Sequence, residues 1–339
     1  MGRASRSIIF GCAGTALSAS ERRFFAESDP LGFILFRRNI DKPEQVFQLV
    51  RDLRDSVGRL DAPVLIDQEG GRVARLGPPH WRKLPPARAV GLLAESDSAA
   101  GIVAARAIGR LIGSMLSPLG IDVACAPVAD LLLPETHGVI GDRAFSSDPT
   151  LVGILAAAVC HGLRDAGVTP IVKHIPGHGR ATADSHLALP RINTDRATLE
   201  ATDFAAFRSV ADAPWAMVAH CVYAAFDKDR PASVSPVAIE AAIRGDIGYG
   251  GVLIADDIGM KALQGSLADN ATATLAAGCD LTLHCSGVLS EMQEIAPQVG
   301  PISSKAAARL ASGAEWMRQG RVEFDEDAEW DLLAGLPPW

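Results

Sequence analysis

Eight times along the chain a short apolar run precedes a longer stretch whose apolar residues recur three or four apart, the alternation of a strand with a helix. The runs lie at residues 7–13, 32–36, 63–67, 122–127, 169–174, 216–220, 251–256 and 281–285. Helical spacing marks 43–57, 98–116, 149–166, 199–210, 236–244 and 267–277. A strand that is apolar throughout is buried on both faces, as in a parallel sheet covered by helices. Eight such units in 339 residues fit an α/β fold, the single-domain (β/α)8 TIM barrel. A doubly wound sheet is the alternative. It is disfavoured because no glycine-rich dinucleotide fingerprint follows the first run and because polar residues end many of the runs. These are Asn39, Asp67, Asp130, Lys173, His174, His220, Asp256 and Asp257, and in a barrel they would converge on one mouth.

Composition narrows the class further. Apolar residues are 48% and charged residues 21% of the chain, a globular balance. The net charge of −8, with no basic tract longer than Arg22-Arg23 or Arg37-Arg38, argues against a nucleic-acid partner. No uninterrupted apolar run approaches the roughly 18 to 20 residues of a membrane span, so no membrane association is expected. Arg3 and Arg6 ahead of residues 8–10 mimic a leader, but the run is short and Ser18 and Glu21 have capping-box spacing. A buried strand followed by a capped helix is the expectation. Cys12, Cys125, Cys160, Cys221, Cys279 and Cys285 show no C-x-x-C pairing and read as small core residues in a reducing cytoplasm. Residues 1–320 show no linker, the Pro/Gly-rich 77–86 reading as an ordered rim loop. Residues 321–339 form an acidic tail, packed on the barrel or trailing from it.

Three segments carry chemistry. In KHIPGHGR (173–180) and the following Asp184-Ser185-His186, three histidines invite a metal reading. Pro176 and Gly177 break any helix that would align His174 with His178, and no H-E-x-x-H is present. Lys173 and His174, at a strand end, suit the gripping of a neutral polar substrate. Asp184 can accept the Nδ1 proton of His186, two residues on, and so prepare an acid/base near neutral pH; the alternative is a polar loop with a satisfied histidine. Asp256 and Asp257 end an apolar strand, and alternation lets only one of them face the mouth, the other capping the next turn. Asp67 and Arg75 flank a Gly70-Gly71 turn, as ligand contacts or as an ion pair closing the barrel top. Arg143 stands on a further loop.

Taken in order, GFILFRRNI (32–40), DQEGGRVARL (67–76), GDRAFSSDP (141–149), VKHIPGHGRATADSH (172–186), AHCVYAAFD (219–227) and GVLIADDIGM (251–260) resemble glycoside hydrolase family 3, within it the single-domain β-N-acetylhexosaminidases of bacterial cell-wall recycling. The resemblance runs from about residue 7 to 287 and implies Asp256 as nucleophile, His186 as acid/base and Asp184 as its partner. It implies that Asp67, Arg75, Arg143, Lys173 and His174 bind the N-acetylglucosamine ring of a small muropeptide substrate. It implies neither a metal nor an organic cofactor, and no obligate protein partner. Ile175 stands where the family commonly has Phe, and Ala255 where it has Ser or Thr, which removes a hydroxyl beside Asp256. Because 339 residues leave no room for a second catalytic domain, the acid/base is expected on this barrel. The competing readings are a related β-glucosidase or β-xylosidase, a metal-dependent hydrolase using His174, His178, His186 and Asp256, and a non-catalytic sugar binder. Phosphate in place of water as acceptor is a further possibility, since a neutral imidazole does not repel an anion.

Overall fold

A computed structural model of the protein describes residues 5–185 and 187–338. Eight strands close into a barrel: β1 (Arg6–Gly11), β2 (Pro30–Leu35), β3 (Val64–Ile66), β4 (Val123–Ala124), β5 (Thr169–Ile175), β6 (Trp215–Val218), β7 (Val252–Asp257) and β8 (Leu281–His284). Each is parallel to its neighbours and β8 pairs with β1, so no edge is left unpaired. All eight expected strands are present in this order.

Alternation sorts each strand into two cores. Ile9, Ile34, Leu65, Cys125, Ile171, Met217, Ile254 and Leu283 fill the barrel interior, while residues between them such as Ile8, Phe10, Val172 and Leu253 pack outward against helices. Polar side chains cannot enter this interior uncompensated, so they leave the barrel at its strand ends. Five cysteines are buried and Cys285 is half-buried, and all six are free.

The helix Ala19–Ser28 begins with the expected capping box between Ser18 and Glu21. Helices Pro43–Val57, Ser98–Leu116 and Leu267–Ala277 match their expected bounds. The stretch 199–210 does not form one helix. It divides into Arg196–Ala201 and Asp203–Arg208, where Arg180 binds the Thr202 hydroxyl and the Asp203 carboxylate at the junction. The stretch expected at 236–244 becomes a π-helix, Ala238–Asp246. In the C-terminal segment, helix Glu326–Leu333 places Glu329 against Arg110, and Arg82 of the rim loop stacks on Trp330.

One stretch is more apolar than the sequence reading allowed. Residues 98–119 are long and apolar enough, by length and composition, to cross a membrane. Their apolarity has a packing cause, since the helix lies mostly buried between Ala87–Ser96 and Pro149–Asp165. Gly109 and Gly162 let the two long helices approach closely. A Cβ on Gly162 would stand 2.1 Å from the Arg106 carbonyl oxygen, and one on Gly109 2.3 Å from that of Val159. Gly162→Ala gains at most about 1 kcal/mol of helix propensity, whereas overpacking costs about 1–3 kcal/mol. Urea denaturation of this variant is therefore expected to show a lowered midpoint at unchanged slope; a raised midpoint would mean the helices separate without cost.

Candidate active site

A cavity of about 260 Å³ opens at the C-terminal ends of the strands. Asp67, Glu69, Arg75, Arg143, Lys173, His174, Asp256 and Asp257 line it, with Phe36, Met217, Met260 and Leu283 as apolar walls. Of the polar strand ends, Asn39, Asp130 and His220 lie buried behind it.

Two register shifts present the key side chains. On β5, Lys173 aligns with Met217 and Ile175 with Val218, so two steps of β5 oppose one of β6 and His174 is inserted. Both Lys173 and His174 then face the cavity. On β7, Ile254 aligns with Leu281 but Asp257 with Leu283. This shift corrects the expectation that only one of Asp256 and Asp257 faces the mouth, because both line the cavity. Asp257 also caps the following turn, its Oδ1 accepting from Gly259 N at 3.2 Å and from Cys285 N at 3.1 Å.

The cavity wall beside β3 is a closed network of charges. The Lys173 ammonium, almost wholly buried, lies 2.8 Å from Asp67 Oδ1 and 2.6 Å from Glu69 Oε1. Arg75 donates to Asp67 Oδ2 at 2.8 Å, and Arg143 grips Glu69 with two bonds of 2.8 Å. Burial pushes both carboxyls up, but the cations outweigh it and hold both below the ordinary carboxylate range. Glu69 stands on a short hairpin, Gln68–Gly70 with Val73–Ala74, that turns through positive φ at Gly70 and Gly71.

Behind His174, the fully buried Asp130 accepts from His174 Nδ1 at 2.7 Å, from His174 N at 3.2 Å and from His178 N at 2.6 Å. Burial raises the Asp130 carboxyl and the two histidines more than reverse it, so it is ionised. An ionised acceptor fixes the proton on His174 Nδ1 and leaves Nε2 as the free ring position. His178 packs edge-on against His174 at 5.6 Å and meets Ser185 Oγ at 3.3 Å. Burial lowers the His178 pKa to about 4, so the ring is neutral at pH 7.

Asp256 Oδ1 accepts a hydrogen bond from Asp257 N at 2.8 Å. Burial opposes its charge, but His174, His220, the Asp257 amide and Lys173 together hold it below its ordinary value. It is an ionised carboxylate on a rigid strand, the form a nucleophile requires. Asp184 begins the turn in which its carbonyl accepts from Leu187 N and Ala188 N, and it is not among the described residues of the cavity wall. His186 lies outside the described residues. Among the described residues no cluster of three or more His, Cys, Asp or Glu is arranged to hold a metal ion.

The structure thus brings together Asp67, Arg75, Arg143, Lys173, His174 and Asp256 in one cavity. Sequence reasoning misses Glu69, and it places Asp130 at the mouth, whereas Asp130 lies buried behind the cavity. Glu69 is two positions from Asp67, the spacing that puts two strand residues on one face, but its partner Arg143 is 74 residues away and no local pattern reveals it.

A parallel barrel with an ionised acid and fixed hydrogen-bond donors at its mouth defines a barrel enzyme, and comparison with known proteins gives its class as glycoside hydrolase. Residues 14–311 match the Glycosyl hydrolase family 3 N terminal domain, and the chain belongs to that family. It is 38% identical to a beta-hexosaminidase of Alkalilimnicola ehrlichii, over 98% of this chain and 93% of that protein. Native NagZ from Neisseria gonorrhoeae superimposes with a TM-score of 0.86 at 31% identity, covering 98% of both chains. A family 3 beta-N-acetylglucosaminidase from Paenibacillus gives 0.82 at 29% identity, over 96% of this chain and 66% of that one.

The network carries a pH signature. Because the folded pKa of Glu69 is below its unfolded value, its ionised form stabilises the fold above about pH 4, and that contribution fades as the pH falls through the folded value. Glu69→Gln is expected to lose about 1–3 kcal/mol at pH 7 by leaving buried cations under-compensated. The gap between the two proteins, followed by thermal unfolding, should narrow below about pH 4. A gap constant from pH 7 to pH 3 would contradict the assignment.

Proposed function

We propose that the protein is a retaining exo-β-N-acetylglucosaminidase that releases N-acetylglucosamine from muropeptide fragments during cytoplasmic cell-wall recycling. The observation that carries this reading is the placement of an ionised Asp256 in a cavity of about 260 Å³ walled by fixed donors. Relatives named beta-hexosaminidase and beta-N-acetylglucosaminidase support the choice of sugar over the related β-glucosidase and β-xylosidase readings. Residues 1–320 are the catalytic barrel and 321–339 a tail; the enzyme works without metal, organic cofactor, nucleic acid, membrane or obligate protein partner.

In the proposed mechanism Asp67, Arg75, Arg143, Lys173 and His174 bind the ring hydroxyls and the acetamido group. Asp256 attacks the anomeric carbon while His186, its tautomer set by Asp184, protonates the departing oxygen. The bond to the leaving group breaks as the ester to Asp256 forms. His186 then takes a proton from water, which attacks the same carbon and frees the sugar with its configuration retained. The low pKa of Asp256 keeps the nucleophile charged well below neutral pH.

Initial rates on matched aryl β-glycosides of N-acetylglucosamine and glucose, with a chelator present, test this. Preference for the N-acetyl sugar is expected, with kcat lowered at least about 10³-fold in Asp256→Ala. His186→Ala should lose far more on a poor leaving group than on dinitrophenolate, which departs without protonation. Preference for glucose would overturn the substrate, equal losses on both leaving groups would overturn the role of His186, and rates restored only by metal would overturn the mechanism.

A further inference from the structure

Just beyond β6, a histidine used by none of the steps above is fully buried and bonded at both ring nitrogens. His220 Nε2 lies 3.0 Å from the Asp257 carbonyl oxygen, and Nδ1 lies 2.6 Å from Ser233 Oγ. A carbonyl only accepts, so Nε2 carries the proton. Burial disfavours the charged ring, which leaves Nδ1 as acceptor for the Ser233 hydroxyl. Ser233 is itself fully buried, so the ring has one orientation and one tautomer.

The bond falls where the backbone ladder ends. Pairing between β6 and β7 runs from Val252 with Trp215 to Ala255 with Val218 and stops there, one residue before Asp256. Beyond that point Ile258 is tied to β8 by its N–H to the Leu283 carbonyl, and the chain is held on the β6 side through Asp257. Its carbonyl accepts from Met260 N within the local turn and from His220 across to β6, its carboxylate accepts from Gly259 N and Cys285 N, and its own N–H donates to Asp256 Oδ1. The Asp257 N–H is the one hydrogen bond the described structure gives the Asp256 side chain, so whatever orients residue 257 orients that carboxylate. From the β8 side the clamp is backbone, the Cys285 amide and the Leu283 carbonyl; from the β6 side it is the His220 side chain, and therefore open to substitution.

We infer that His220, locked by Ser233, is a positioning residue for the nucleophile: it holds the Asp257 carbonyl so that the Asp257 N–H supports Asp256 in attacking geometry. The inference rests on the proposed role of Asp256.

The experiment uses 5-fluoro-N-acetylglucosaminyl fluoride as probe. Fluoride leaves C1 with its bonding pair, an ester forms between C1 and an Asp256 oxygen, and the slow second step lets the labelled protein be followed by intact mass and peptide mapping. Labelling rate and the kcat and KM of an aryl β-N-acetylglucosaminide are measured for wild type, His220→Leu, His220→Gln and Ser233→Ala. Leu preserves bulk without a donor, whereas the Gln amide restores a donor near the Nε2 position. His220→Leu is expected to slow labelling and lower kcat about tenfold to a hundredfold with KM little changed, and His220→Gln to recover most of the loss. Labelling at the wild-type rate in His220→Leu, or equal losses in Leu and Gln, overturns the inference. If His220→Leu does not fold, Ser233→Ala decides: freeing the ring should slow labelling several-fold, and an unchanged rate overturns the inference. Wild-type label mapping to a residue other than Asp256 would instead refute the nucleophile assignment.

Discussion

The ammonium of Lys173 lies almost without solvent between two carboxylates, and the cavity takes its form from the need to compensate that charge. A buried cation is tolerated only where its desolvation is offset by close partners. Asp67 and Glu69 supply them, and each of these acids needs a second cation, which Arg75 and Arg143 provide. The result ties the end of β5 to the hairpin after β3 and to the loop after β4, three connections that the barrel alone would leave free to shift. Such a network is weak as a source of stability and strong as a source of geometry, because each member has one arrangement in which all are satisfied.

The barrel decides where that network stands. Its interior is filled by apolar side chains from alternate positions, so charged groups appear only where the strands end. Regular alternation would still have turned His174 and one of the two aspartates away from the mouth. The register shifts on β5 and β7 reverse this, each adding one residue that faces the cavity. The β6–β7 ladder ends at Ala255, and the side-chain bond of His220 to the Asp257 carbonyl takes over there.

These points also mark how far the sequence could be read. Apolar runs separated by helical periodicity depend on neighbours a few residues apart, so all eight strands and the long helices could be placed. Strand-end polar residues followed, and with the family resemblance the cavity residues from Asp67 to Asp256 could be named. A register shift is a relation between two strands far apart in the chain, and period-two counting within β7 therefore admits only one of Asp256 and Asp257 to the mouth where both stand. The pairing of Glu69 with Arg143 spans 74 residues and that of His174 with Asp130 spans 44, distances over which no local pattern operates. The apolar helix Ser98–Leu116 shows the converse case: its composition matches a membrane span, and only the glycine contact with Pro149–Asp165 shows what covers it.

The chemistry divides between rigid and loop-borne parts along the same line. Groups that grip a ring must be in place before the substrate arrives, and the proposed ring-binding groups sit on strand ends and on the hairpin and loop that buried charge ties to them. The proposed nucleophile, Asp256, also stands at a strand end, where its attack would have a fixed line to the anomeric carbon. An acid/base has a different requirement: it must stand beside the leaving group, whose size varies with the aglycone, and later beside a water molecule in the same place. The Asp184-Ser185-His186 segment lies beyond the strand, joined to the rigid part where Ser185 Oγ meets His178 and its carbonyl accepts from Ala262 N. His178 donates its own N–H to the same Asp130 that fixes His174, so the ring-gripping wall and the root of the loop share one buried anchor. On the proposed roles of His174 and His186, a disturbance at Asp130 would therefore reach sugar binding and proton transfer together, although Asp130 itself does not line the cavity.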